Sequence, residues 1–133
     1  MYCHILSNTY IFVLQYLIMN IENSKAQLRK GILEFCVLAL LQKEEAYPSD
    51  LLTSLKEAEF IVVEGTLYPL LNRLKNAGLL TYRWEESTSG PPRKYYSLTE
   101  QGKTFYKELS VSWEELKNAV EIVTKQTKPK KSK

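Results

Sequence analysis

Tyr68, Asn72, Lys75 and Asn76 fall along one side of a short predicted helix, with Arg73 on its flank and Thr66 in its first turn. These side chains donate and accept hydrogen bonds or carry positive charge, the types that read base edges and hold phosphates. Catalysis finds no comparable material. The single histidine, His4, stands near the N-terminus, and no nucleophile, base and orienting group share a motif. Five glycines are spread singly, so no phosphate-cradling loop is formed. Two cysteines, Cys3 and Cys36, make no disulfide framework, and Cys36 lies in an apolar run where a small buried thiol is expected. The chain is therefore expected to be no enzyme, to need no metal or cofactor, and to suit a reducing cytoplasm.

The polar side needs a support, and the same stretch supplies one. Leu67, Leu70, Leu71, Leu74 and Ala77 recur at helical period, and Gly78 follows as a C-terminal stop. Pro69 sits early enough to be tolerated with a bend in the first turn. Upstream, Ser24-Lys-Ala-Gln27 has the capping-box pattern and predicts the start of a first helix, with Leu28, Ile32, Phe35 and Ala39 on one face. Leu33, Cys36, Val37, Leu40 and Leu41 widen its apolar surface. Pro48 suits the first turn of a second helix with Leu51, Leu52, Leu55 and Ala58 buried. Phe60–Val63 reads as one short strand.

Beyond Gly78, Leu80, Tyr82 and Trp84 alternate with Thr81, Arg83 and Glu85, strand periodicity with one face inward. Ser87–Pro92 is turn-rich, and Arg93–Leu98 returns with Tyr96 and Leu98 on one side and Arg93 and Tyr95 on the other. Helices followed by a hairpin predict a mainly α fold with a small β-hairpin, the winged helix-turn-helix, which places a helix in the major groove and a wing beside it. Thr99 is expected to cap a final helix reaching about Thr127. Leu109, Trp113, Leu116, Val120, Val123 and Thr127 are spaced as a heptad seam, longer than a small domain can cover, so a twofold homodimer is expected through it.

The organisation expected is thus an extension at 1–22, a DNA-binding domain at 23–98, a dimerisation helix at 99–127 and a basic tail at 128–133. The apolar run Tyr10–Ile18 is short for a bilayer and lacks a basic lead, so no membrane anchor is read there; it reads as an extra helix packed on the body or as translated upstream sequence, and the second, with Met19 as the working start, is preferred. The net charge of +3 is a tail effect. Lys125, Lys128, Lys130, Lys131 and Lys133 leave 13 basic against 15 acidic residues in the rest of the chain, so any basic footprint must be local.

Three stretches, Leu28-Arg-Lys-Gly-Ile-Leu-Glu34, Glu64-Gly-Thr-Leu-Tyr-Pro-Leu-Leu-Asn-Arg-Leu74 and Gly90-Pro-Pro-Arg-Lys-Tyr-Tyr-Ser-Leu-Thr-Glu-Gln-Gly102, resemble the PadR family of bacterial transcriptional regulators, in the family's order over about residues 20–125. The single C-terminal helix is similar to the smaller subgroup. The resemblance implies a homodimeric repressor of pseudo-palindromic promoter DNA, modulated by a ligand or partner. Thr66, Tyr68, Asn72, Arg73 and Lys75 would meet double-stranded DNA from the helix, with Arg93 and Lys94 in the wing. Trp113 falls where some members stack planar aromatic effectors, although a seam tryptophan also suits the dimer core. Tyr47-Pro-Ser-Asp50 departs from the glycine many members carry there, and residues 1–18 have no counterpart. Two rival readings remain. One is a winged-helix module that docks on protein, favoured by the acid-leaning body; the other is a protein whose main role is binding planar aromatics at the dimer interface.

Overall fold

The computed structural model describes residues 2–125 and divides into two compact units, Met1–Glu34 and Phe35–Lys133. The elements run α1 (Tyr2–Lys43), α2 (Pro48–Glu57), α3 (Glu64–Asn76), β1 (Leu80–Ser87), β2 (Gly90–Leu98) and α4 (Glu100–Lys125). Thr127 and the lysine-rich stretch 128–133 lie outside the described residues.

The first unit is helical throughout its described length and corrects the expected start at Ser24. No glycine or proline interrupts the chain before Gly31, so the capping pattern sits in mid-helix and has no free N–H groups to satisfy. Lys25 pairs with Glu22 at 3.0 Å there instead, and Leu28 is 75% exposed rather than inward. Tyr10, Phe12, Tyr16, Ile18 and Met19 are also exposed. No described helix is long and apolar enough to cross a membrane.

The second unit carries the core. Val37, Leu38 and Leu41 from α1, Leu51 and Leu55 from α2, and Leu67, Leu70, Leu71 and Leu74 from α3 are buried together with Leu80, Tyr96 and Leu98 of the hairpin. α2 packs on α3, α3 on β1, and both α2 and α4 on β2. Leu52 is only half-buried, and Ala58 and Ala77 are exposed where inward positions were expected. Each alanine is the C-cap of its helix, where the chain already leaves the helical path and periodicity no longer decides the facing. Cys36 is half-buried, and its desolvation pushes the thiol above its ordinary pKa.

Phe60–Val63 forms no strand, and the helix ends explain why. The Phe60 N–H closes α2 by donating to the Leu55 carbonyl at 2.8 Å, while the Val63 carbonyl accepts from Thr66 and Leu67 to open α3. With its first N–H and last carbonyl committed to the two helix ends, the four-residue link is too short to lay down a ladder. At the α2 exit, Glu59 takes a left-handed backbone with φ 59°, a conformation that costs a residue with a side chain roughly 1–2 kcal/mol. Glu59→Gly should therefore raise stability by about 1 kcal/mol in urea denaturation; an unchanged or lower midpoint would show that its side chain contributes more than the backbone loses. The α3 exit makes the same left-handed turn with a glycine. Gly78 has φ 78°, and the Leu79 N–H donates to the Leu74 carbonyl at 3.0 Å.

The hairpin is longer and tighter than expected, with only Thr88 and Ser89 between its strands. Its antiparallel register pairs Leu80 with Leu98, Tyr82 with Tyr96, Trp84 with Lys94 and Glu85 with Arg93, then shifts before Ser87 meets Gly90. Pro91 and Pro92 fall in the shifted part, where their missing N–H groups cannot complete a regular ladder. A third participant joins at the other end of β2: Ala46 and Tyr96 exchange both backbone hydrogen bonds, at 3.1 and 2.9 Å. This ties the entry to α2 directly to the wing. Thr99 caps α4 as expected, its hydroxyl accepting from the Gly102 N–H at 3.0 Å and donating to the Gly78 carbonyl at 2.6 Å.

Candidate nucleic-acid interface

Burying the leucine stripe of α3 turns the remaining face outward. Thr66, Tyr68, Asn72, Arg73 and Lys75 are all exposed, and the helix runs unbroken through Pro69. An α-helix so presented, one side fixed in the core and the other lined by amide, hydroxyl and cationic groups, has the dimensions and chemistry for a major groove.

The hairpin meets this helix along one flank. The Lys75 ammonium lies 5.5 Å from the centre of the Tyr82 ring, and Lys94 approaches the same ring at 4.5 Å and that of Trp84 at 5.5 Å. Tyr82 is held between Tyr96, 5.5 Å away across the strands, and the edge of Trp84 at 5.8 Å. Two lysines from separate elements thus share one aromatic surface. A cleft of about 380 Å³ opens beside it, with Tyr47, Pro48 and Ser49 at the start of α2, Tyr68 of α3, and Trp84, Pro92, Arg93, Lys94 and Tyr96 of the wing. Thr66, Asn72 and Arg73 lie on the exposed face of α3 outside the lining of that cleft.

Register separates the two wing cations. Lys94 pairs with Trp84 and Arg93 with Glu85, so successive residues project to opposite faces of the ribbon. Lys94 lies on Tyr82 and Trp84, whereas the Arg93 guanidinium lies 4.8 Å from the centre of the Tyr47 ring. Both reach the cleft, from different sides.

Two contributors escaped sequence reasoning. Trp84 was expected to face inward by alternation, yet it is 61% exposed. The wing has run past the edge of the core by that point, so it is Lys94 and the Tyr82 ring that lie against Trp84. Tyr47 stood out in the sequence only as part of the departure at Tyr47–Asp50, with no functional role attached to it. Its hydroxyl donates to Glu85 at 2.9 Å, a contact 38 residues away in the chain. Arg83 bonds the same carboxylate and also Glu45 at 3.1 Å. Hydrogen bonds from Arg83 first and Tyr47 second hold the Glu85 carboxyl below its usual range, and the bond to Glu85 holds the Tyr47 phenol above its own. With its folded pKa lowered, Glu85 contributes stability that is present above the ordinary carboxylate range and lost as pH falls through the lowered value. At neutral pH the phenol is protonated and donates.

On α4, Leu109 and Trp113 are half-buried while Leu116, Val120 and Val123 are exposed, so the seam is covered at its start and open beyond. Phe35 provides part of that cover, stacking on Tyr106 at 5.7 Å and tilting against Trp113 at 6.0 Å. Among the described residues, no group of three or more His, Cys, Asp or Glu is placed to hold a metal ion.

The family model described as the transcriptional regulator PadR-like family matches residues 37–108, which hold α2, α3, both strands and the cap of α4. A solved PadR-like transcription factor from Bacteroides fragilis is 60% identical, covers 76% of this chain and 98% of its own, and superposes with a TM-score of 0.66. A PadR family transcriptional regulator from Eggerthella lenta reaches a TM-score of 0.76 at 32% identity, over 85% of this chain and 99% of its own. A PadR-like transcriptional regulator from Bacillus cereus is 36% identical over 74% of this chain and 97% of its own, with a TM-score of 0.68.

Proposed function

This chain belongs to the PadR-like family of transcriptional regulators, and from that premise we propose a cytoplasmic, homodimeric repressor that grips a pseudo-palindromic promoter site. The family binds DNA and regulates transcription; it is not a family of enzymes. What supports the finer reading is the meeting of Tyr68 of α3 with Arg93 and Lys94 of the wing around one cleft, with Lys75 of α3 joining Lys94 on the Tyr82 ring beside it. In this reading α3 enters a major groove with Asn72 and Arg73 toward base edges, Thr66 and Lys75 toward phosphates, and the wing follows the adjacent backbone.

The dimer forms through Leu109, Trp113, Leu116, Val120 and Val123 of two α4 helices, giving two recognition helices one twofold axis and the operator its symmetry. Trp113 is assigned to that packing, Phe35 already covering part of its ring. A ligand or partner that altered the angle between protomers would change half-site spacing and hence affinity.

Footprinting of the protein's own promoter tests the whole reading, with two protected half-sites about one helical turn apart expected. Arg73→Ala should cost about 1–3 kcal/mol per half-site and relax base preference there, and Arg93→Ala should lower the salt slope by about one per protomer. Variants that bind as the parent does, with unchanged slope, would remove these two arginines from the interface. A protein that protects no promoter DNA at moderate salt would instead point to docking on another protein.

A further inference from the structure

Arg83, Tyr95, Tyr47 and Arg93 form a column in which cations cap two rings. The Arg83 guanidinium lies 4.6 Å from the centre of Tyr95, Tyr95 and Tyr47 are 4.7 Å apart, and Arg93 closes the column 4.8 Å from Tyr47. The middle of this column cannot swing freely. Tyr47 is the N-cap residue of α2 and its N–H donates to the Asp50 carboxylate at 3.0 Å. Its neighbour Ala46 is bridged to β2, and its hydroxyl is held by Glu85. Glu85 is fixed in turn by Arg83, which reaches back to Glu45. A ring anchored at its backbone, at its hydroxyl and against Tyr95 offers a fixed surface to a guanidinium.

Arg93 needs such a partner. It is exposed, stands next to the irregular part of the ladder at Pro91 and Pro92, and projects from the opposite face of the ribbon to Lys94. A long side chain at that position must otherwise give up its rotamer freedom when it meets a ligand, and that loss weakens binding. A planar guanidinium laid on an aromatic face keeps its N–H edge available for hydrogen bonds in the ring plane.

We propose that Tyr47 is a positioning residue, which holds the Arg93 guanidinium against the rim of the cleft so that it meets the DNA backbone already ordered. The inference rests on the assignment of Arg93 to DNA made above. It makes the approach to α2, a segment with no contact role of its own in that assignment, a determinant of how well the wing binds.

A double-mutant cycle on the full-length protein tests it, with affinity for the promoter fragment measured against salt and melting followed in parallel. Tyr47→Ala should weaken binding by about tenfold, each of two half-sites losing a few-fold, and should lower the salt slope as Arg93→Ala does. In the Arg93→Ala background the same change should have no further effect. Tyr47→Phe keeps the ring face and should bind within about twofold of the parent. Tyr47→Leu fills similar space without a π face and should behave like Tyr47→Ala, which guards against a simple packing defect. Additive losses in the double variant, or Tyr47→Leu binding as well as Tyr47→Phe, would overturn the proposal. Arg93→Ala binding like the parent would overturn it too, by removing Arg93 from the interface, while Arg73→Ala and the footprint would still judge DNA binding by α3.

Discussion

Gly102→Ala should melt roughly 10–20 °C below the parent protein, although alanine is the better helix former and the position lies in the first turn of α4. A Cβ at Gly102 would stand 2.0 Å from the Leu79 carbonyl oxygen and 3.2 Å from the Leu98 side chain. The first of these is backbone and cannot rotate away. That carbonyl accepts the Thr99 N–H at 3.1 Å, and the Thr99 hydroxyl bridges Gly78 to the Gly102 N–H. Relief of the clash would thus pull apart the cap, the end of α3 and the end of β2 together. Overpacking of a site that can relax costs about 1–3 kcal/mol, and one that meets fixed backbone should lie at or above the top of that range. Gly31→Ala is the control. It meets nothing within 4 Å in the interior of α1, so it should be neutral or stabilising by up to about 1 kcal/mol. Melts at one fixed protein concentration keep assembly from confounding the comparison. Equal midpoints for Gly102→Ala and the parent would mean that α4 can shift off Leu79 at little cost.

The second large effect is expected on assembly. Leu116→Glu combined with Val120→Glu should give a folded monomer in sedimentation velocity and lower operator affinity by about a hundredfold or more, since a monomer loses the second half-site and the dimer would bury like charges against each other. The two side chains are 55% and 51% exposed in one copy, so the exchange should leave the fold of the single chain within about 0.5 kcal/mol of the parent. That separation makes the result informative: the helical circular dichroism of the variant should match the parent while its mass halves. A variant that remains dimeric would move the interface away from this seam, and a dimeric parent that loses no affinity as a monomer would deny any role for paired half-sites.

How much of this was legible beforehand depended on distance along the chain. The stripe Leu67, Leu70, Leu71, Leu74 and the stop at Gly78 were visible because helical period and a left-handed exit are local properties. The inward placement of Leu80, Tyr96 and Leu98, and the cap at Thr99, were visible for the same reason. Local signals also misled. Ser24–Gln27 has the chemistry of a helix start, but a start requires the preceding residues to leave the helix, and nothing between Tyr2 and Ser24 makes them do so. Phe60–Val63 has the β-branched content of a strand, but its two ends serve the helices on either side. Trp84 obeys strand alternation past the point where the core ends. The outward face of α3 was predicted, whereas the column from Arg83 to Arg93 was not, because its central contact joins residues on either side of α2 and α3 and no spacing rule reaches so far.

The prolines at the tip of β2 and the bridge at Ala46 have one more effect. A two-stranded ribbon normally offers its outer backbone as a template on which a stray strand from another molecule can pair. Here Tyr96 has already committed that side to Ala46, and Pro91 and Pro92 bring no donor to it. Lys94 stands charged between them. The outer edge of β2 is therefore a poor place for a strand from a neighbouring molecule to add.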